Sequence, residues 1–262
     1  MSREIEIEKI NSSTWRISEV DKQTENAVDA YLLCGTKRAL LVDTLMFTKE
    51  LYGEVRKLTS LPIDVILTHG HIDHVGLSLP TFYKNGCEIF MDIRDLFLVE
   101  NSNPIIIDCV KFTNLYDGQL FELGDRTVEI ISVPGHTPGS VVALDWESEL
   151  AFTGDTIGSG HFWMQLPEAL SLDIFEKNLS KFSKQMEQFN NLIVYPGHKA
   201  QSPVLLTGQY IKDTLKFTQD IIYGDAVGED SITEYMNEKI ACKVAGYGLM
   251  ICYSYNPLNI HS

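Results

Sequence analysis

The stretch Thr68 to Gly76 reads THGHIDHVG and sets His69, His71, Asp73 and His74 within six positions, directly after the apolar run Val65-Ile66-Leu67. The chain has seven histidines, and three of them fall in this one loop. Imidazole and carboxylate are ligands of first-row metals, neutral imidazole being especially suited to zinc. Four such groups on so short an arc are costly to leave unpaired in a protein interior, and a cation among them removes that cost. The remaining ligands should then lie downstream.

Three later places supply them. The β-type run Thr127 to Val133 leads into Pro134-Gly135-His136, Glu149 to Phe152 into Thr153-Gly154-Asp155, and Asn191 to Tyr195 into Pro196-Gly197-His198. Each puts a His or Asp after a glycine at the end of a strand. Loops converge outside strand ends while the strands hold them rigid, and ligands collect there in open α/β sheets. Glycine permits the sharp exit and a close backbone approach. One Gly-His after a strand is ordinarily just a turn. Four strand ends in one chain, carrying five of its seven histidines and two aspartates, are poorly explained by coincidence.

The elements that must position these groups are readable from periodicity. Residues 1 to 44 alternate as meandering strands, with Asp43 closing the last, either as a turn carboxylate or as a group facing the cluster. Leu51, Val55 and Leu58 mark a helix over 48–60, Pro62 ends it, and Ile63 to Leu67 is the buried strand that delivers the histidine loop. A helix over 77–84 and a strand over 88–91 follow, an order that suggests a parallel or mixed sheet with helices packed on it. In the middle segment Asp92 to Val99 reads as helical and Ile105-Ile106-Ile107 as β-like. Strands are expected at 119–123, 127–133, 140–145 and 149–152. Ser171 is placed to cap a helix reaching Phe189, and Ser202-Pro203 to open one that ends at Gly224. The tail 225–262 reads as a short helical piece near 232–241 and a Tyr- and Gly-rich end. No repeat or linker divides the chain, which reads as one domain over 1–262 with the elements of 199–262 packing on it.

The order His69-x-His71-x-Asp73-His74, His136, Asp155, His198 resembles the binuclear pattern of the metallo-β-lactamase superfamily at all seven positions, with matching context from about Asp43 to His198. The resemblance implies an α/β fold, a four-layer αβ/βα sandwich of two mixed sheets with helices on the outer faces and the metal site at one edge. It also implies roles. His69, His71 and His136 would hold a first zinc, Asp73, His74 and His198 a second, and Asp155 would bridge them together with a water or hydroxide. Asp73 and Asp155 are thereby the candidate catalytic residues. Seven ligands exceed the four that one zinc takes, and two ions about 3.5–4 Å apart would bring the pKa of a shared water from 15.7 to about 7. Iron or manganese are the alternative metals.

Within the superfamily, the diiron oxygen-reducing branch resembles His-x-Glu-x-Asp, where this chain has His71, and carries a flavin domain for which there is no room. This favours zinc hydrolysis. The expected activity is therefore cleavage of an ester, thioester or lactone of a small metabolite. Phosphodiester hydrolysis by the same metal pair is the alternative, and a non-catalytic metal-binding sensor or scaffold a third. The loop Ile157 to Leu170 should overhang the metals, with His161, Phe162 and Trp163 as candidate substrate contacts and Lys199 as a candidate partner for a substrate carboxylate.

Composition narrows the partners. The 262 residues are 44% hydrophobic and 22% charged with a net charge of −15, the profile of a globular protein that repels phosphate backbones and anionic lipid. A nucleic-acid or membrane partner is not expected, and a homo-oligomer is left open. The start MSREIEIEKI has no signal-type apolar core. Five scattered cysteines form no Cys-x-x-Cys pair and read as reduced, mostly buried thiols of a cytoplasmic protein.

Overall fold

The computed structural model of the protein describes residues 3–158, 160–202, 204–235, 238–247 and 251–262. Its first sheet is built in chain order from β1 (Arg3–Asn11), β2 (Thr14–Asp21), β3 (Ala27–Cys34), β4 (Ala39–Val42), β5 (Ile63–Ile66), β6 (Ile89–Met91) and β7 (Phe112–Asn114). The pairs are antiparallel up to β4 and parallel from β4 onward. The switch coincides with the first crossover helix, α1 (Leu51–Leu58), because parallel neighbours need a connection long enough to return to the same end. The second sheet begins with the meander β8 (Leu120–Glu122), β9 (Thr127–Ser132), β10 (Val141–Asp145) and β11 (Leu150–Gly154). After β12 (His161–Met164), which joins neither sheet, it is completed by β13 (Ile193–Pro196), parallel to β11, and β14 (Leu206–Thr207).

Side-chain parity shows how the layers stack. In β3, Tyr31 and Leu33 lie in an apolar cluster shared with Val128, Ile130, Val141, Ala143 and Phe152 of the second sheet. Their neighbours Ala30 and Leu32 face the other way, into a cluster with Leu51 and Val55 of α1 and with Leu79 and Phe82 of α2 (Leu79–Lys84). The second sheet repeats the arrangement. Val142 and Leu144 turn outward onto Phe175, Leu179 and Phe182 of α5 (Leu172–Met186) and Ile211 and Phe217 of α6 (Gly208–Tyr223). Period-2 strands thus bury both faces, the inner against the other sheet and the outer against helices. This is the expected four-layer sandwich.

Four local expectations give way. Ile105-Ile106-Ile107 lies in the helix Pro104–Cys109, numbered α4 after α3 (Leu96–Ser102). Pro104 is pre-organised for its first turn, Ile106 is buried in the core with Ile107 packed partly against it, and Ile105 stays 70% exposed. The helix ending at Gly224 begins at Gly208, not at the Ser202-Pro203 pair, of which Pro203 lies outside the described residues. Pairing of Leu206 with Val194 pulls the intervening segment into β14 first. The helical piece near 232–241 is instead a hairpin, β15 (Glu229–Tyr235) and β16 (Glu238–Tyr247), and with β17 (Ile251–Tyr255) it forms a third sheet ordered β12-β17-β16-β15. Its β-branched and aromatic residues find strand partners there, as in the pair Thr233 with Ile240, and pairing overrides the weak helical pattern. Among the cysteines, Cys87 and Cys242 are buried but Cys109 is exposed; Cys34, Cys87, Cys109 and Cys242 are all unbridged.

Candidate metal centre

The four glycine-marked exits meet at one edge of the sandwich. The loop after β5 brings His69, His71, Asp73 and His74 from the first sheet, while His136 follows β9, Asp155 follows β11 and His198 follows β13 of the second. Two groups form. Ligand-type atoms of His69, His71 and His136 lie within 4.8 Å of one another, as do those of Asp73, His74, Asp155 and His198. Asp155 adjoins both: its Oδ1 is 3.5 Å from His74 Nε2, and its Oδ2 is 3.3 Å from His198 Nε2 and 3.9 Å from His136 Nε2.

Every imidazole is anchored through one ring nitrogen, leaving the other for the centre. His74 Nδ1 lies 2.8 Å from Asp43 Oδ2 and His69 Nδ1 3.1 Å from Thr68 Oγ1. His136 Nδ1 lies 3.0 Å from the Trp163 carbonyl and His198 Nδ1 2.8 Å from that of Ala27. His71 is inverted: its Nε2 lies 2.6 Å from Glu168 Oε1, so Nδ1 points inward, 3.0 Å from His136 Nε2. Such partners fix tautomer and ring orientation in metal-ligating histidines. The inward atoms His69 Nε2, His74 Nε2 and Asp155 Oδ1 are buried without a hydrogen-bond partner. Buried polar atoms are rarely left so, and a cation is the species that satisfies imidazole nitrogens and a carboxylate oxygen together. The donor set therefore fits divalent metal.

Electrostatics divides the groups. Burial holds His69 well below the usual imidazole range and His136 down at about 4, so both are neutral, the ligating form. Burial acts the same way on His74 and His198, but carboxylates overcome it and raise both well above that range. These are Asp43, Asp155 and Asp73 for His74, and Asp155 and Asp73 for His198. In return, although burial opposes it, those imidazoles hold Asp73 and Asp155 below the ordinary carboxylate range.

Two buried aspartates build the frame. Asp43 accepts from the Thr68 backbone N–H at 2.7 Å and from Thr68 Oγ1 at 2.8 Å, besides facing His74. It thus acts behind the cluster rather than in it. Asp95 accepts from Gly70 N at 2.9 Å, Gly139 N at 2.6 Å and Thr137 Oγ1 at 2.6 Å, joining the loops that carry His71 and His136. Sequence reasoning missed both Asp95 and Glu168, since each stands alone in sequence and acquires its partners only through the fold. A lone acid in an otherwise apolar LPEAL segment was the one available signal for Glu168.

A cavity of about 190 Å³ opens onto His71, Asp73, His136, Asp155 and His198, and its lining includes His161, Trp163, Leu166 and Tyr235. The segment 157–170 is partly strand. Alternation along β12 sends Phe162 into the core, where its ring stacks on Tyr253 at 5.0 Å, so only His161 and Trp163 of that trio reach the cavity. His161 Nε2 is 2.7 Å from Ser254 Oγ of β17, and burial keeps the ring below its usual pKa. Lys199 does not line the cavity: its ammonium donates to the carbonyls of Ser202 and Val204 at 3.0 and 3.1 Å. A larger open depression of about 780 Å³ beside Arg3, Phe47 and Glu54 contains none of the clustered residues.

A sandwich of this layering with a histidine–aspartate cluster at its edge is a frame that can hold metal, and comparison with known proteins gives the family. The family model of the metallo-beta-lactamase superfamily matches residues 24–198, and the chain belongs to that superfamily. It is 30% identical over 135 residues to the hydroxyacylglutathione hydrolase GloC of Haemophilus influenzae, a match spanning 47% of this chain and 63% of that protein. It is 25% identical over 179 residues to the probable polyketide biosynthesis zinc-dependent hydrolase PksB of Bacillus subtilis, covering 68% of this chain and 73% of PksB. In fold it is similar to a metallo-beta-lactamase from Pontibacter korlensis, with a TM-score of 0.65 at 16% identity over 83% of this chain and the whole of the other.

Proposed function

We propose that this chain is a binuclear zinc hydrolase that cleaves a thioester, or a related ester or lactone, of a small metabolite. The observation that carries the reading is the convergence of seven ligand-type side chains with three inward atoms left without hydrogen-bond partners. His69, His71 and His136 would hold one ion, Asp73, His74 and His198 the other, with Asp155 between them. Two divalent cations there would supply Lewis acidity and an ionised water near neutral pH. The chain's own groups do the rest. Asp43, Thr68, Glu168 and the carbonyls of Ala27 and Trp163 keep the imidazoles aimed. Trp163, Leu166 and Tyr235 give the acyl part an apolar surface and displace water from it. His161, held by Ser254, is a neutral group within reach of the bound substrate.

Carbonyl chemistry is preferred over phosphodiester cleavage because, among the described residues, no Lys or Arg lines the cavity. The name of the Haemophilus relative, an acylglutathione hydrolase, supports a thioester. Metal analysis should find about two zincs per chain, and Asp155→Ala should abolish turnover with the fold retained. The panel to run comprises acyl thioesters, lactones and bis-nitrophenyl phosphate. Cleavage of the phosphate alone would sink the carbonyl assignment, and activity of Asp155→Ala within tenfold of the parent would sink the role of Asp155.

A further inference from the structure

Beyond the clustered residues that reach it, the cavity is walled by Gly158, His161, Trp163, Leu166, Gln201 and Tyr235. None of these carries a formal charge at neutral pH: burial keeps His161 below its usual range, and the Tyr235 phenol stays protonated. None of the residues outside the described set is Lys or Arg either. Basic side chains on adjoining elements are engaged elsewhere. Lys199, beside His198, donates to the carbonyls of Ser202 and Val204 at 3.0 and 3.1 Å. Lys243, on the strand paired with that of Tyr235, donates to Asp230 Oδ1 at 2.8 Å. Arg16 pairs with Glu8 at 2.7 Å and faces Asp29. Carboxylates dominate the field instead, those of Glu168, Asp73 and Asp155 all acting on the Tyr235 phenol.

We propose that the site selects acyl thioesters of neutral thiols and rejects those whose thiol part carries an anionic group close to the sulfur. This selectivity rests on the thioester reading above and fixes the class of its leaving group. Hydrolysis of such a substrate breaks the acyl C–S bond as the oxygen of water bonds to the acyl carbon. One proton of that water ends on the thiol sulfur and the other goes to solvent, leaving a carboxylate. An anion taken from water against these walls loses hydration and gains no partner. Metal ions at the centre would be set against Asp73, Asp155 and the reacting oxygens at the end of the cavity, which leaves nothing to offset an anion along its sides. Like-charge approach and an unpaired buried charge are the means by which a site rejects a competitor, and both act here.

The test compares thioesters of one acyl group on three thiols: N-acetylcysteamine, which is neutral, mercaptopropionate, which is anionic, and glutathione. The zinc-loaded chain should show kcat/KM at least about tenfold higher for the N-acetylcysteamine thioester than for either charged one at low ionic strength, with the gap narrowing as salt is added. Gln201 is exposed at the cavity, and the bond from its backbone N–H to the His198 carbonyl at 3.0 Å does not involve the side chain. Gln201→Lys should therefore fold and raise the anionic-to-neutral ratio of kcat/KM about tenfold, whereas Gln201→Met, which adds no charge, should leave that ratio in place. Reading ratios removes the differing acidities of the thiols, since the substitution alters the wall alone. Neutral and charged thioesters cleaved within about twofold of each other, or a ratio that Gln201→Lys does not move, overturns the proposal. If the zinc-loaded chain cleaves none of the three, the thioester reading fails, and calorimetric binding of the matched S-alkyl thioethers decides charge selection by itself. Preference for the neutral thioether upholds it, and equal or tighter binding of the glutathione thioether overturns it.

Discussion

Thr44 sits between two left-handed residues, Asp43 at φ 63° and Leu45 at φ 62°. Non-glycine residues in this region cost about 1–3 kcal/mol and persist only where the surroundings dictate them. Here the surroundings are the cluster's own supports: Thr44 N and Oγ1 both donate to the His74 carbonyl at 3.0 Å, and Gly76 N donates to Thr44 Oγ1 at 3.0 Å. Asp43 tolerates the conformation better than Leu45, since short polar side chains bond locally. Replacing Asp43 with Ala leaves Thr68 N, Thr68 Oγ1 and His74 Nδ1 without their acceptor. At about 1–3 kcal/mol for each buried group so stranded, the urea midpoint should fall well outside error and the second zinc should bind weakly. An unchanged midpoint would mean that water takes over the carboxylate's place. The raised pKa values of His74 and His198 give a further prediction. Both hold protons near neutrality that a cation must displace, so zinc uptake should release protons and its affinity should rise as pH increases. Calorimetry in two buffers of different ionisation enthalpy reads this directly; identical heats would refute it.

At the scale of elements, the site depends on how closely one strand end can approach another. A methyl group on Gly197 would stand 2.4 Å from His74 Cε1 and 2.6 Å from Asp155 Oδ1. Gly197→Ala should therefore push His198 and Asp155 apart and lower zinc occupancy, with far less effect on the far-ultraviolet spectrum. Normal zinc content in that variant would show that the loop yields. The third sheet contributes from outside the two-sheet frame. Hairpin residue Tyr235 lines the cavity with its ring 5.9 Å from that of His71, and burial with the nearby Glu168, Asp73 and Asp155 carboxylates keeps its phenol protonated. Tyr235→Ala should raise KM for an acyl substrate more than Tyr235→Phe does. What was legible in the sequence follows from the range of the interactions. Val128, Ile130 and Leu144 show their strands by local alternation, and the glycine exits show where those strands stop. Tyr235 could not be found because its approach to His71 requires a hairpin whose strand character arises only on pairing. Leu206 misled for the same reason, taking its strand from Val194, whereas Ile106 follows the local turn that Pro104 opens.

For the molecule as a whole, the two sheets contribute unequally to one cluster, the first giving His69, His71, Asp73 and His74 and the second His136, Asp155 and His198. Polar bonds tie the edge between them, among them those of Asp95 to Thr137 and Gly139 and of Lys199 N to Asp29 Oδ2. Asp29 N donates to the Gly197 carbonyl at 2.8 Å and Tyr31 Oη to that of Pro196 at 2.6 Å. Among the described residues no helix is long and apolar enough to cross a membrane. Ligands bound only by the native state stabilise it by mass action, so stripping zinc should lower Tm and speed amide exchange at Asp29 and Gly197 more than in the helices. Uniform acceleration would show that the metals do not act locally on that edge.

Because each group draws its ligand-type side chains from both sheets, His69 and His71 with His136 and Asp73 and His74 with Asp155 and His198, the cluster is whole only once residues 60–76 and 127–198 stand in register.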